Sequence, residues 1–217
     1  MYLSYRHARR SRSSRPVSCT LRVPVQSNPE LPGCLPWMLS KIHTQRRHLD
    51  AMLWLKTTFV GYCHVTHGCK RASVPLYGSN GITRASDGSI LVGSYRVGQI
   101  TVHKPKEDKT LEYVRTIRTD FPLDNLALSA DGSIIAAAFP KLHLLADSMR
   151  GVGLTAPSAV LRISDATLEG KYNVEKIYED DGQLGSFATT AAMYGNMLYI
   201  HGLMAHRMLA CKIPLSS

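Results

Sequence analysis

Asn80-Gly81-Ile82-(x4)-Asp87-Gly88-Ser89-Ile90 is answered 44 residues later by Asp124-Asn125-Leu126-Ala127-Leu128-(x2)-Asp131-Gly132-Ser133-Ile134. Each copy starts a strand-like run at a small oxygen-bearing side chain, turns at Asp-Gly, and climbs again through apolar residues. Self-similarity at a period of roughly 40–50 residues, carried by short strands, is the signature of β-propeller blades. Equivalent corners of neighbouring blades face a central channel, so Asn80, Asp124 and Asn125 are expected to converge there. Their carbonyl and carboxylate oxygens suit a hard cation such as calcium. The Asp-Gly steps read as hairpin turns, because the ligand spacing of an EF-hand loop is absent.

Outward from this repeat, the texture stays that of an all-β meander. Strands are predicted at 81–83, 90–94, 98–103, 111–116, 126–128, 134–139, 159–164, 172–179, 189–193, 197–201 and 208–213, punctuated by Lys104-Pro105, Asp181-Gly182 and Gly195-Asn196. A Leu/Met-rich stretch at 141–157 reads as an inserted helix or lid. Six blades need roughly 300 residues, and residues 76–217 supply about three of them. The fold expected is a partial six-bladed propeller, a truncated product whose open edges invite self-association.

Residues 1–75 differ in kind. They hold 12 of the Lys/Arg residues against Glu30 and Asp50 alone, whereas residues 76–217 are balanced at 14 of each sign. The basic excess therefore says nothing about the repeat region. Residues 1–36 are broken by Pro16, Pro24, Pro29, Pro32 and Pro36 and read as loop or disorder, and 37–60 as an amphipathic helix. An Arg/Ser-rich start of this kind suits a solvated arm or, loosely, a mitochondrial transit segment. No apolar core follows it, so no secretory signal is read and the location stays open. The best apolar run, Met52 to Tyr62, is too short to span a membrane and contains Lys56. Nucleic-acid binding is not expected, because the basic residues crowd an unstructured arm rather than alternating with aromatics on a folded face.

From Leu76 to Leu215 the chain resembles the C-terminal half of the paraoxonase/arylesterase proteins, within the gluconolactonase-like six-bladed calcium propellers. The residues that carry the resemblance are Ser79-Asn80-Gly81-Ile82, Pro122-Leu123-Asp124-Asn125-Leu126, Ser158-Ala159-Val160-Leu161-Arg162-Ile163, Gly185-Ser186-(x2)-Thr189 and the closing strand pair from Tyr194 to Gly202. The texture around Phe139-Pro140-Lys141 and Val174-Glu175-Lys176 is closer to fungal members. The resemblance implies a calcium-dependent hydrolase of esters, lactones or organophosphates. It implies Asn80, Asp124 and Asn125 as calcium ligands, Asp124 as the catalytic carboxylate, and Thr189 and Phe139 as substrate-lining positions. Phe139 stands where animal members place a histidine. The family's remaining ligands, a glutamate and another asparagine, and its proposed histidine base lie in its N-terminal half, and residues 1–75 show no counterpart. A non-catalytic fragment or interaction module is the alternative. Cys211 matches a cysteine that, in the family, joins the last strand to the N-terminus by a disulfide; its partner here is left open.

Other candidates weigh less. Cys63-His64-(x2)-His67-x-Cys69 packs four potential zinc ligands into seven residues, too close to close a tetrahedron easily, and reads as an irregular segment. Ser186 lacks the Gly-x-Ser-x-Gly elbow of a nucleophile. His103, His143, His201 and His206 read as ordinary surface or strand-end residues, with His201 and His206 able to border the channel.

Overall fold

Ile90-Leu91-Val92-Gly93-Ser94 and Ile134-Ile135-Ala136-Ala137-Ala138 are short apolar runs bounded by turns, and each becomes the second strand of a four-stranded antiparallel sheet. The computed structural model describes residues 55–64, 68–149, 155–203, 205 and 207–214, with the backbone of a strand at Ser18–Arg22. The first sheet is a meander of β4 (Ser79–Arg84), β5 (Ile90–Ser94), β6 (Gln99–Pro105) and β7 (Leu111–Arg118). The second runs β8 (Leu123–Leu128), β9 (Ile134–Ala138), β10 (Ser158–Ser164) and β11 (Asn173–Asp180), with helix α1 (Leu142–Met149) between β9 and β10. The third joins β12 (Ala188–Tyr194), β13 (Met197–Gly202) and β14 (Met208–Lys212) to β1 (Ser18–Arg22), so the N-terminal region supplies its outermost strand. A separate hairpin pairs β2 (Gly61–His64) with β3 (Gly68–Arg71). The three meanders are the blades of a partial β-propeller.

Packing explains the sequence texture. Leu91, Ile100, Val102 and Ile117 of the first blade meet Leu126, Ile134, Ala136, Leu161 and Ile163 of the second. Ile135, Val160 and Ile177 on the second blade's other face meet Ala191, Leu198, Ile200 and Leu209 of the third. The middle blade is thus buried on both faces, and all five residues of β9 are 0% exposed. A strand covered on both sides must be apolar throughout, which is why 134–138 shows no alternation.

The repeated Asp-Gly turns are built alike. Asp87 Oδ1 accepts from the Ser89 amide at 2.9 Å and its hydroxyl at 2.6 Å. Asp131 Oδ1 does the same with Ser133, at 3.1 and 2.6 Å. Gly88 and Gly132 sit at φ of 85° and 83°, the left-handed region that favours glycine. The Ser133 bonds outweigh the opposing effect of burial and, with the Arg162 guanidinium, hold Asp131 down at about 2.

Three expectations for the N-terminal third change. Residues 55–60 do not continue a helix: Thr58 forms an isolated bridge to Leu76, and the chain enters the β2–β3 hairpin. The supposedly irregular Cys63–Cys69 segment is that hairpin, and the two cysteines form a disulfide, so neither is a thiolate for zinc. Strand β1 falls within the stretch read as loop. The helix expected at 37–54, the arm before Ser18, His67 and His206 lie outside the described residues. Cys211 is disulfide-bonded and 0% exposed, and the register of β1 on β14 sets Cys19 opposite it. The first blade's far face is not open to water either: Val92, Thr101 and His103 on it are 3, 6 and 0% exposed, and Leu76 and Tyr77 line a small void against Val92 and Thr101.

Candidate functional site

Strands β4, β8 and β12 are the first of their blades, and β8 touches both others. Each breaks register with its neighbour at the same place. The irregularity falls between Ser79 and Ile82 in the first blade, Leu123 and Leu126 in the second, and Ala188 and Thr190 in the third. The residues inside these breaks are Asn80-Gly81, Asp124-Asn125 and Thr189. A bulge re-aims the side chains it carries and frees them from the ladder, so three successive blades use one local defect to point polar groups along the inner strands.

Side chains then tie the blades together. The Asn80 amide lies near enough to the Asp124 carboxylate to favour its charged form. Asn125 Nδ2 donates to the Thr189 backbone carbonyl at 2.7 Å. The first contact depends on Gly81: a Cβ there would lie 2.3 Å from the Asp124 carbonyl oxygen and 2.7 Å from the Leu126 nitrogen. Only a residue without a side chain lets β4 and β8 approach so closely. A lone glycine inside a strand pattern is a known mark of close backbone approach, so this signal was present in the sequence and went unread.

Asp124 is 8% exposed. Burial pushes its carboxyl up to about 6, against the opposing pull of the Asn80 amide. Among the described residues, no Arg or Lys forms an ion pair with it. A desolvated carboxylate without a cationic partner, beside the Asn80 amide and followed in the strand by Asn125, is a donor set short of positive charge. Calcium fits such a set: the donors are hard oxygens, and a divalent cation would relieve the cost of burying the carboxylate. No group of three or more His, Cys, Asp or Glu forms a metal cluster among the described residues, so the amides are integral to any such site.

The other predicted residues are placed as follows. Thr189 is half-buried, its hydroxyl donating to the His201 carbonyl at 3.4 Å. It meets Asn125 through its backbone. Phe139 is 3% exposed, its amide bonded to the Pro122 carbonyl at 2.9 Å, so its ring is almost wholly covered by protein. Ser186 accepts from the Ala156 amide at 2.9 Å, and Ser158 bridges the Gly185 carbonyl and the Ala188 amide at 2.7 and 2.9 Å. Asp180 collects the amides of Gly182, Leu184 and Gly185 at 3.0–3.2 Å. These serines and Asp180 fix the loop that delivers Thr189. His103 is buried in β6, with Nε2 2.9 Å from the Thr101 hydroxyl, and burial lowers its pKa.

A pH dependence follows from Asp124. Folded Asp124 keeps its proton to about pH 6, against an ordinary value of 3.8. The group therefore contributes stability below pH 3.8 that is lost as pH rises through 6. Without calcium, Asp124→Asn is expected to be more stable than the parent at pH 8 by about 1–2 kcal/mol, after discounting for solvent screening. The gap should close toward pH 4. Urea melts at the two pH values measure it, and an unchanged difference would show that the carboxylate is well solvated.

The profile of the arylesterase family matches residues 42–213. No curated protein matches the chain. A solved structure provisionally assigned as a gluconolactonase aligns at 13% identity with a TM-score of 0.44, covering 73% of this chain and 47% of that one. The chain thus spans about half the length of that structure.

Proposed function

Because the chain belongs to the arylesterase family, we propose that its three blades carry part of a calcium-dependent centre that hydrolyses esters, lactones or organophosphates. Asn80, Asp124 and Asn125 would hold the cation. The observation that carries the reading is the Asn80–Asp124 contact, which joins a nearly buried carboxylate to an amide from the neighbouring blade. Bound there, calcium would supply Lewis acidity to a substrate carbonyl or phosphoryl oxygen. The chain's own residues do the positioning. Gly81 sets the separation of the two inner strands. The Thr189 carbonyl orients the Asn125 amide, and the Thr189 side chain borders the place where substrate would lie.

The test is hydrolysis of phenyl acetate by the purified chain in calcium and in chelator. Hydrolysis that requires calcium supports the proposal; none in either condition removes the hydrolase reading. A second reading, a non-catalytic fragment or interaction module, is favoured by the donor count: three side chains fall short of the six or more oxygens calcium takes. It predicts a melt that calcium does not shift and no ester turnover.

A further inference from the structure

The Cys63–Cys69 disulfide stands at the outer end of a ladder whose inner end is the start of β4. Beyond it, the Ala72 and Ser73 amides donate to the Val60 carbonyl at 2.8 and 3.3 Å, and the Val60 amide donates to the Ser73 hydroxyl at 2.9 Å. Thr58 and Leu76 exchange two backbone bonds, at 2.7 and 3.2 Å. The Ser79 amide then donates to the Thr58 hydroxyl at 2.8 Å, and the two hydroxyls lie 2.8 Å apart. Ser79 precedes Asn80. The ladder therefore reaches from the disulfide to the residue beside the Asn80–Asp124 contact.

Three observations favour a reactive rather than a merely structural disulfide. Both cysteines are exposed, whereas the disulfide-bonded Cys211 is 0% exposed. Residues 57–77 contain no acidic side chain, while Lys70 and Arg71 follow Cys69 directly, a setting that favours thiolates. And β2 and β3 are only four residues each, in a sheet of two strands, a size marginal in water without a covalent closure.

We propose that Cys63–Cys69 is a redox-sensitive latch that fixes the start of β4, opened by a small dithiol or two monothiols. The reductant's thiolate attacks one sulfur, forming a mixed disulfide and releasing the other cysteine as a thiolate. A second thiol resolves the mixed disulfide. The reductant leaves oxidised, two electrons have passed to the cysteines, and each has taken up a proton. Opened, the hairpin frays toward Thr58 and releases Ser79. The Lys70 contact to the Asp108 carbonyl and the Leu111–Ala72 bond (2.7 Å) keep its flank on the first blade, so the release is local. The effect on calcium rests on the reading of Asn80 as a donor.

Amide hydrogen exchange at Leu76 and Ser79 tests the latch without reference to calcium. In mild dithiothreitol, with alkylation confirming that Cys63 and Cys69 react and Cys211 does not, both amides should exchange about tenfold faster or more. Ile100 and Ile134 should be unchanged. The double variant Cys63→Ser, Cys69→Ser should behave like the reduced chain and bind calcium about fivefold more weakly or worse. Unchanged exchange, or reduction only together with Cys211, overturns the latch. Faster exchange with unaltered calcium affinity overturns its coupling to the site. If the oxidised parent binds no calcium, the proposed function fails, and exchange alone still decides the latch.

Discussion

If calcium binding raises the stability of the parent chain, Asp124→Ala is expected to abolish that rise. A cation that binds only the folded state, at a hundredfold excess over its dissociation constant, stabilises by about 2.7 kcal/mol. Asp124 carries the only formal charge among the three donors and is 8% exposed, so little water screens it from a bound cation. Truncating it leaves two neutral amides, too weak a set to desolvate calcium. The matched control is Asp131→Ala, at the same position of the repeated Asp-Gly turn. Its carboxylate serves Ser133 and Arg162 and belongs to the turn alone. Losing these part-exposed bonds should cost about 1 kcal/mol while leaving the calcium increment intact. Thermal melts of the two variants with calcium and with chelator separate them. Equal increments in both would remove Asp124 from the site.

Gly81→Ala should be the most damaging small substitution near the site. The added methyl would lie 2.3 Å from the Asp124 carbonyl oxygen, 2.7 Å from the Leu126 nitrogen and 2.8 Å from the Asn125 Cα. All three are backbone atoms, so no rotamer change relieves the overlap and the inner strands must part. A cost of about 3 kcal/mol is expected, at the upper end for overpacking. Parting the strands also draws Asn80 from Asp124, so calcium affinity should fall with stability. Gly93→Ala is the comparison: its methyl would find the same strand at 3.5 Å, an ordinary contact, and should cost less than 1 kcal/mol. Urea denaturation with and without calcium reads both quantities. A Gly81→Ala chain as stable as Gly93→Ala would mean that the inner strands are not held in close contact.

The legible parts of this protein were those written in local chemistry. Asp87-Gly88-Ser89 and Asp131-Gly132-Ser133 close their turns with their own side chains, so a reader needs no neighbour to place them. The eleven strands predicted from 81 to 213 follow, because apolar runs between such turns have few other ways to bury themselves. The N-terminal third resisted reading for the opposite reason. Ser18–Arg22 is a strand only because β14 offers it an edge nearly two hundred residues away, and Pro16 and Pro24 on either side suggest nothing but loop. Thr58 is extended because Leu76 and Ser79 hold it, not through any preference of its own stretch.

The candidate site divides the same way. That Asn80, Asp124 and Asn125 belong to equivalent corners of repeated blades was determined by sequence alone, since a repeat of fixed period maps like residues to like places. That the Asn80 amide reaches the Asp124 carboxylate, and that burial pushes this carboxyl up to about 6, was decided only by tertiary structure. Contact and desolvation depend on how closely two backbones pack. At Gly81 that distance is set by a missing side chain and by what the neighbouring blade brings against it.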